Sequence, residues 1–276
     1  MDTLAYMIEM RRHLHRMPEL SLQEKETAAF IREQLKALGY EPVAIADTGT
    51  YTDFIVDPEK PWLLFRADID ALPVTEETGL PFASEHPGKM HACGHDGHTS
   101  MLLGAARAFK LGELKSAYNL RFAFQPAEEM YGGAARMIAA GVLPEHLAGA
   151  FGFHLWPQVP YGKFGWRKGT LMASNDRFTI TITGKGAHAA MQNVGENALQ
   201  AGAMLALELP RLSSRILSPS RAALIFVGTM NAGSGYNIVA DRCTMEGTCR
   251  ALTPDAAAAK TEAREIAAAC GYLPDG

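Results

Sequence analysis

A thiol and three imidazoles fall within eight positions in the run Met90-His91-Ala92-Cys93-Gly94-His95-Asp96-Gly97-His98-Thr99. Cys93 and His95 stand two apart, so an extended or irregular backbone can aim both at one ion, and Gly94 between them tolerates dihedral angles that other residues avoid. Thiolate, imidazole and carboxylate together suit zinc, and a carboxylate-rich set also admits manganese, cobalt or nickel. Downstream, Leu120 to Gln125 reads as a strand that ends at Pro126-Ala127-Glu128-Glu129. Neighbouring side chains project in different directions, so one glutamate can bind a metal while the other faces a water molecule. A metal lowers the pKa of bound water, and a positioned carboxylate can take its proton and hand it to a leaving amine. His154 lies in the apolar run Ala150-Phe151-Gly152-Phe153-His154-Leu155-Trp156-Pro157, read as a strand. Alone it suits a hydrogen-bonded core histidine; beside the other two clusters it reads as a further ligand.

These groups need a scaffold, and the pattern around them supplies one. Leu4 to His15 carries a single apolar stripe and stops before Pro18, as a helix does. A second helix is expected up to Gly39, with Ser21 as its cap and Glu24 three residues on, as in a capping box. Tyr40 to Val43, Thr52 to Val56 and Trp62 to Arg66 read as short strands. Helices alternating with strands imply an α/β layer fold. The third strand runs into Asp68 and Asp70, and chemistry in open α/β sheets gathers at the carboxyl ends of strands, so both acids are site candidates unless they only cap the following turn. Thr99 to Phe109 continues the central run as an apolar helix, which must be buried. Ala134 to Ala140 is expected as a further helix.

From Ser174 the texture becomes a strict alternation, Arg177-Phe178-Thr179-Ile180-Thr181-Ile182-Thr183, suited to a sheet with one wet face. A helix from Ala198 to Leu209, strands at 223–229 and 243–250 and a helix from Pro254 to Ala269 follow. That order, β-α-β-β-α, marks a second α+β domain one strand short of a two-helix, four-stranded sandwich. The 276 residues, 47% hydrophobic, suffice for two domains at ~150 residues each. The boundary is expected between 172 and 173.

A net charge of −4 and the lack of any lysine-arginine run give no footing for nucleic acid. The N-terminus is neither a signal peptide nor a membrane span, and the four cysteines are scattered, which fits a reducing, cytoplasmic setting without membrane partners.

Five ordered motifs together resemble the metal-dependent aminoacylase and carboxypeptidase superfamily: Arg66-Ala67-Asp68-Ile69-Asp70-Ala71-Leu72-Pro73, His91 to His98, Gln125 to Glu129, Gly152 to Pro157, and Gly184-Lys185-Gly186-Ala187-His188. The branch of hippurate hydrolases, indole-acetyl-amino-acid hydrolases and N-acetyl-diaminopimelate deacetylases is the most similar. The resemblance implies a two-metal α/β catalytic domain with a mixed sheet flanked by helices, plus a smaller α+β lid that makes a homodimer, hydrolysing the amide of N-acyl amino acids. It further implies Cys93, His95, Glu129 and His154 as ligands of two divalent ions (manganese, zinc, cobalt or nickel), Glu128 as general base and Asp68 as an acid supporting the metal centre. His188 would stabilise the oxyanion in the partner subunit's site, Asn237 would bind substrate, and Arg250 would meet the substrate carboxylate. Gln192-Asn193 stands where the family often has a proline-histidine pair. Members also continue into a last segment with another metal-binding histidine that no residue after Gly276 supplies. The chain is therefore expected to be a fragment or short form with little activity, the alternative being a weak or inactive metal-binding, dimerising relative. A peptide-cleaving metalloprotease is disfavoured, because no His-Glu-x-x-His helix is present.

Overall fold

The computed structural model describes residues 1–216 and 223–252, and side chains within the helix ending at Ile216 only as far as residue 211. The chain divides into two compact units, Met1–Pro160 and Tyr161–Gly276.

In the first unit α1 (Thr3–Arg16) and α2 (Lys25–Ala37) precede β1 (Val43–Ile45), β2 (Gly49–Phe54) and β3 (Trp62–Asp68). Then come α3 (His95–Lys110), β4 (Asn119–Gln125), α4 (Gly133–Ala139) and β5 (Leu147–Gly152). The strands form one mixed sheet in the order β1-β2-β4-β3-β5. β3 runs parallel to both β4 and β5, while β2 is antiparallel to β4 and β1. β4 is buried at every position, as a strand covered on both faces should be. On one face Leu120, Phe122 and Phe124 join Tyr6 and Met10 of α1, Ile31 and Leu35 of α2, and Leu102, Leu103 and Ala106 of α3. On the other, Leu64 and Ala123 meet Met137 of α4 and Val142.

Local signals behave as their chemistry dictates at several helix ends. Asp2 caps α1 by accepting from Ala5 N–H at 2.7 Å. α2 closes with paired bonds, Gly39 N–H to Lys36 and Tyr40 N–H to Leu35, that satisfy its last carbonyls. The start of α2 differs from the expected capping box. Ser21 lies outside the helix, and its hydroxyl donates to Asp70 Oδ2 at 2.7 Å. Glu24 accepts from Thr48 Oγ1 and Ala127 N–H. Capping passes to Glu19, whose carboxylate accepts from Thr27 N–H at 2.8 Å. Long-range partners outcompete the local motif because those groups are buried and must be satisfied. β1 begins at Val43 rather than Tyr40, since Tyr40 is drawn into the core, its hydroxyl donating to Ala106 O.

The second unit contains β6 (Ser174–Thr183), the two-residue β7 (Ala187–His188), a 3-10 turn (Ala189–Val194), α5 (Ala198–Ile216), β8 (Ala223–Ala232), β9 (Ile238–Val239) and β10 (Arg242–Ala251). β10 lies between β6 and β8, antiparallel to both, and β7 pairs with β9. Ile182, Leu205, Leu209, Ile225, Cys243 and Met245 form its core. The alternation in β6 is realised, with Phe178, Ile180 and Ile182 turned to that core. The helix expected at 254–269 lies outside the described residues. Among the described residues no helix is long and apolar enough to cross a membrane.

Candidate metal centre

Because β3, β4 and β5 are parallel and in register, with Asp68 opposite Gln125 and Arg66 opposite Gly152, their carboxyl ends share one edge of the sheet. Asp68 ends β3 and Asp70 follows it; Glu128 and Glu129 follow β4. His154 sits two residues beyond the end of β5, not inside a strand as its apolar flanks suggested. The run of imidazoles is also less of a loop than expected. Gly94, at φ +88°, is the N-cap of α3, so His95 and His98 occupy its first helical turn and Cys93 stands just outside.

Three groups of side chains converge closely enough to hold an ion: Cys93, His95 and His154; Asp68, His95 and His98; and His95, Glu128 and Glu129. Within each group the ligand atoms lie within 4.8 Å of one another. His95 belongs to all three. Its Nδ1–H donates to Asp70 O at 2.8 Å, which leaves Nε2 facing inward as the nitrogen a metal could take. That atom is buried without a hydrogen-bond partner, and so is Glu129 Oε1, 3.8 Å away. Two orphaned buried atoms facing each other are costly unless something bridges them, and a divalent cation satisfies both. The donor set therefore fits a metal. Burial pulls the His95 pKa down, but its contacts with Asp70 and Cys93 and the Asp68 charge outweigh it and raise the value in the metal-free chain, so a metal must displace a proton from this ring.

His154 repeats the arrangement. Its Nδ1–H donates to Leu155 O at 2.6 Å, and Nε2 lies 3.4 Å from Cys93 Sγ. This pair opens onto a surface depression of 520 Å³ edged by Leu155 and Trp156. His98 is different, since both its nitrogens are engaged and neither is left to ligate. Asp68 is held by the His98 ring at Oδ1 (2.6 Å) and by Arg66 at Oδ2 (2.7 Å), and Arg66 also donates to Gln125. Burial opposes ionisation of Asp68, yet these donors and His95 bring its pKa down to about 2. It is thus a fixed anion beside His95, 3.6 Å from Nε2. Glu128 is the more exposed member of the pair, and partial desolvation of its carboxyl together with the Glu129 charge raises its pKa.

Further residues organise this centre: Asp70, already a candidate at the end of β3, and Glu24 and Asp96, which the sequence did not mark for it. Asp70 Oδ2 accepts from Glu129 N–H at 3.0 Å as well as from Ser21, pinning the glutamate turn to β3. Glu24 pins the same turn through Ala127 N–H, whose residue takes φ +51°. Asp96, next to His95, faces outward from the centre to Arg11 and to the buried His15, which also meets Glu76. The Asp96 hydrogen bond raises the His15 pKa against its burial. Since the folded-state value lies above that of the free imidazole, this stabilisation is complete below about pH 6.5 and is lost as pH rises through the folded value. His15→Gln is therefore expected to flatten the fall in unfolding free energy from about pH 6 upward, measured by urea titration; an unchanged slope would remove His15 from the account.

In the second unit His188 and Asn237 are neighbours. β7 sets His188 opposite Ile238, and Asn237 O accepts from Ala189 N–H at 2.9 Å. Arg250 lies eight residues along β10 from Arg242, roughly 27 Å at strand rise, exposed and paired with Asn175 and Leu224.

Known proteins resemble most of this chain. N-acetyl-L-cysteine deacetylase of Bacillus subtilis is 44% identical over 246 residues, which cover 88% of this chain and 59% of the relative. N-acyl-L-amino acid amidohydrolase of Geobacillus stearothermophilus is 41% identical over 245 residues, covering 88% of this chain and 66% of the relative. The chain thus spans about three fifths to two thirds of the length of these proteins. The crystal structure of the Bacillus subtilis YXEP protein, described as a dinuclear metal-binding peptidase, superposes with a TM-score of 0.80 at 36% identity, covering 98% of this chain and 71% of that one. Residues 64–271 match the profile of Peptidase family M20/M25/M40, and the chain belongs to that family.

Proposed function

We propose that this chain carries the chemistry of a metal-dependent amidohydrolase that cleaves the amide of N-acyl amino acids, with acetyl or aromatic acyl groups, to a carboxylate and a free amino acid. The observation that carries the reading is the facing pair of unpartnered atoms, His95 Nε2 and Glu129 Oε1, set among Cys93, His154 and Glu128. The names of the relatives support the substrate class. Cys93, His95, Glu129 and His154 would hold two divalent ions, of manganese, zinc, cobalt or nickel, which supply Lewis acidity toward the amide carbonyl. Glu128 accepts a proton from the attacking water and returns it to the departing amine nitrogen. Asp68 holds the field around His95. His188 Nδ1 accepts from Ala190 N–H, which leaves Nε2–H free to donate to the oxyanion in the site of a second copy. Asn237 and Arg250 are assigned to substrate. A thiol ligand requires reducing surroundings, in keeping with a cytoplasmic setting.

Cys93→Ala tests the ligand set. The purified chain is expected to bind divalent metal and the variant to lose most of it; equal metal content by elemental analysis would sink the assignment. The lid reading rests on apolar surface in the second unit. Leu224, Phe226 and Met230 are exposed along β8, and Met204 and Leu207 along α5. Sedimentation at micromolar concentration is expected to give a homodimer, and a folded monomer would reject both the dimer and the role of His188 in trans.

A further inference from the structure

His98 is the one imidazole of the central run whose two nitrogens are both committed, and their partners lie on different elements. Leu155 N–H donates to His98 Nε2 at 2.8 Å. An accepting Nε2 must carry the lone pair, so the proton of the neutral ring sits on Nδ1, where it donates to Asp68 Oδ1 at 2.6 Å. The main chain of Leu155 is used twice, because its carbonyl accepts the Nδ1–H of His154. The bonds run in series from Arg66 through Asp68, His98 and Leu155 to His154, whose Nε2 faces Cys93 Sγ.

The Leu155 side chain is seated in the same place. A Cβ at Gly94 would stand 3.4 Å from Leu155 Cδ1, and a Cβ at Gly97 would overlap it. Gly94, Gly97 and His98 together therefore form a socket on the first turn of α3 for the residue that follows His154. Without it, His154, on an exposed segment beyond the end of β5, would be left with the carbonyl of its own neighbour and edge-on contacts with the Trp156 and His95 rings.

We propose that His98 is a positioning residue that clamps Leu155 so that His154 presents Nε2 beside Cys93. The inference rests on the metal-centre reading above and adds to it the residue that sets one ligand's direction. Outer partners of this kind typically affect metal affinity by ~10- to 100-fold.

The test uses cobalt(II) with the 276-residue chain, reading the thiolate-to-cobalt absorption and the affinity by chelator competition. His98→Asn retains a donor near Nδ1 for Asp68 but offers nothing to Leu155, whereas His98→Gln places an acceptor near Nε2. His98→Asn is expected to weaken cobalt binding ~10- to 100-fold, and His98→Gln to recover most of the loss. Cobalt binding by His98→Asn equal to that of the parent, or no difference between the two variants, overturns the clamp while leaving the metal centre standing. A parent chain with no thiolate band overturns the metal reading and the clamp together. Hydrogen exchange on the metal-free parent needs no variant. The Leu155 amide is expected to be protected within its exposed segment, and exchange as fast as that of an open loop would also overturn the clamp.

Discussion

Replacing Glu128 by glutamine is expected to lower amide hydrolysis by ~100- to 10,000-fold while leaving bound metal unchanged. The two adjacent glutamates divide their labour by what each main chain and side chain is tied to. Glu129 is held by its own N–H to Asp70 Oδ2, and its Oε1 turns in toward His95. Glu128 is the more exposed of the two, and partial desolvation of its carboxyl and the Glu129 charge raise its pKa in the metal-free chain. A base must be ionised to work, so the rate should fall as pH drops low enough to protonate Glu128. Glu129→Gln should do the reverse, weakening metal binding first and activity through it. Assays on N-acetyl and N-benzoyl amino acids, with metal content measured on the same samples, separate the two. Turnover by Glu128→Gln close to that of the parent, with metal bound, would end the general-base assignment.

The parts of this centre that could be read from the chain alone are those whose signal is chemical type beside a buried apolar element. Asp68 and the Glu128-Glu129 pair follow apolar strands whose parallel, in-register ends share one edge, and the Cys93-His95 pair opens the apolar helix α3. His154 was harder, because Phe153, Leu155 and Trp156 make its surroundings look like strand interior. These residues are instead partly exposed on the segment after β5, and the strand stops at Gly152. Asp70 was legible as a strand-end acid but its partner was not, since it reaches Glu129 through an amide 59 positions away; Glu24, which reaches Ala127 across 103, left no pattern to read. The Ser21 capping box failed for the same reason, as Asp70 offered its hydroxyl a buried, charge-assisted partner that a helix end at the surface does not. His98 carried the right chemistry for a ligand and was separated from that role only by geometry, since both its nitrogens are taken.

Phe122→Ala is expected to destabilise the first unit by about 3–5 kcal/mol, a large share of the ~5–15 kcal/mol that holds a typical domain together. Phe122 lies mid-strand on β4 and has no exposed surface. Its ring meets Tyr40 edge-on at 6.1 Å, stacks with Phe65 at 6.1 Å and tilts against Phe109 at 6.2 Å, so truncation opens a cavity walled by α2, α3 and β3 neighbours that cannot all move in. Phe151 on β5, nearly half exposed, supplies the internal contrast, and its alanine variant should lose far less. The consequence reaches the metal centre, because β4 is the strand whose carboxyl end delivers Glu128 and Glu129 and whose Gln125 accepts from Arg66. Urea unfolding should show the transition of the first unit moving to lower denaturant, while that of the second unit, with its separate core around Ile182 and Met245, stays in place. Loss of both transitions together would mean that the two cores unfold as one, and a shift no larger than that of Phe151→Ala would mean that the aromatic cluster around Phe122 is not the keystone of the sheet.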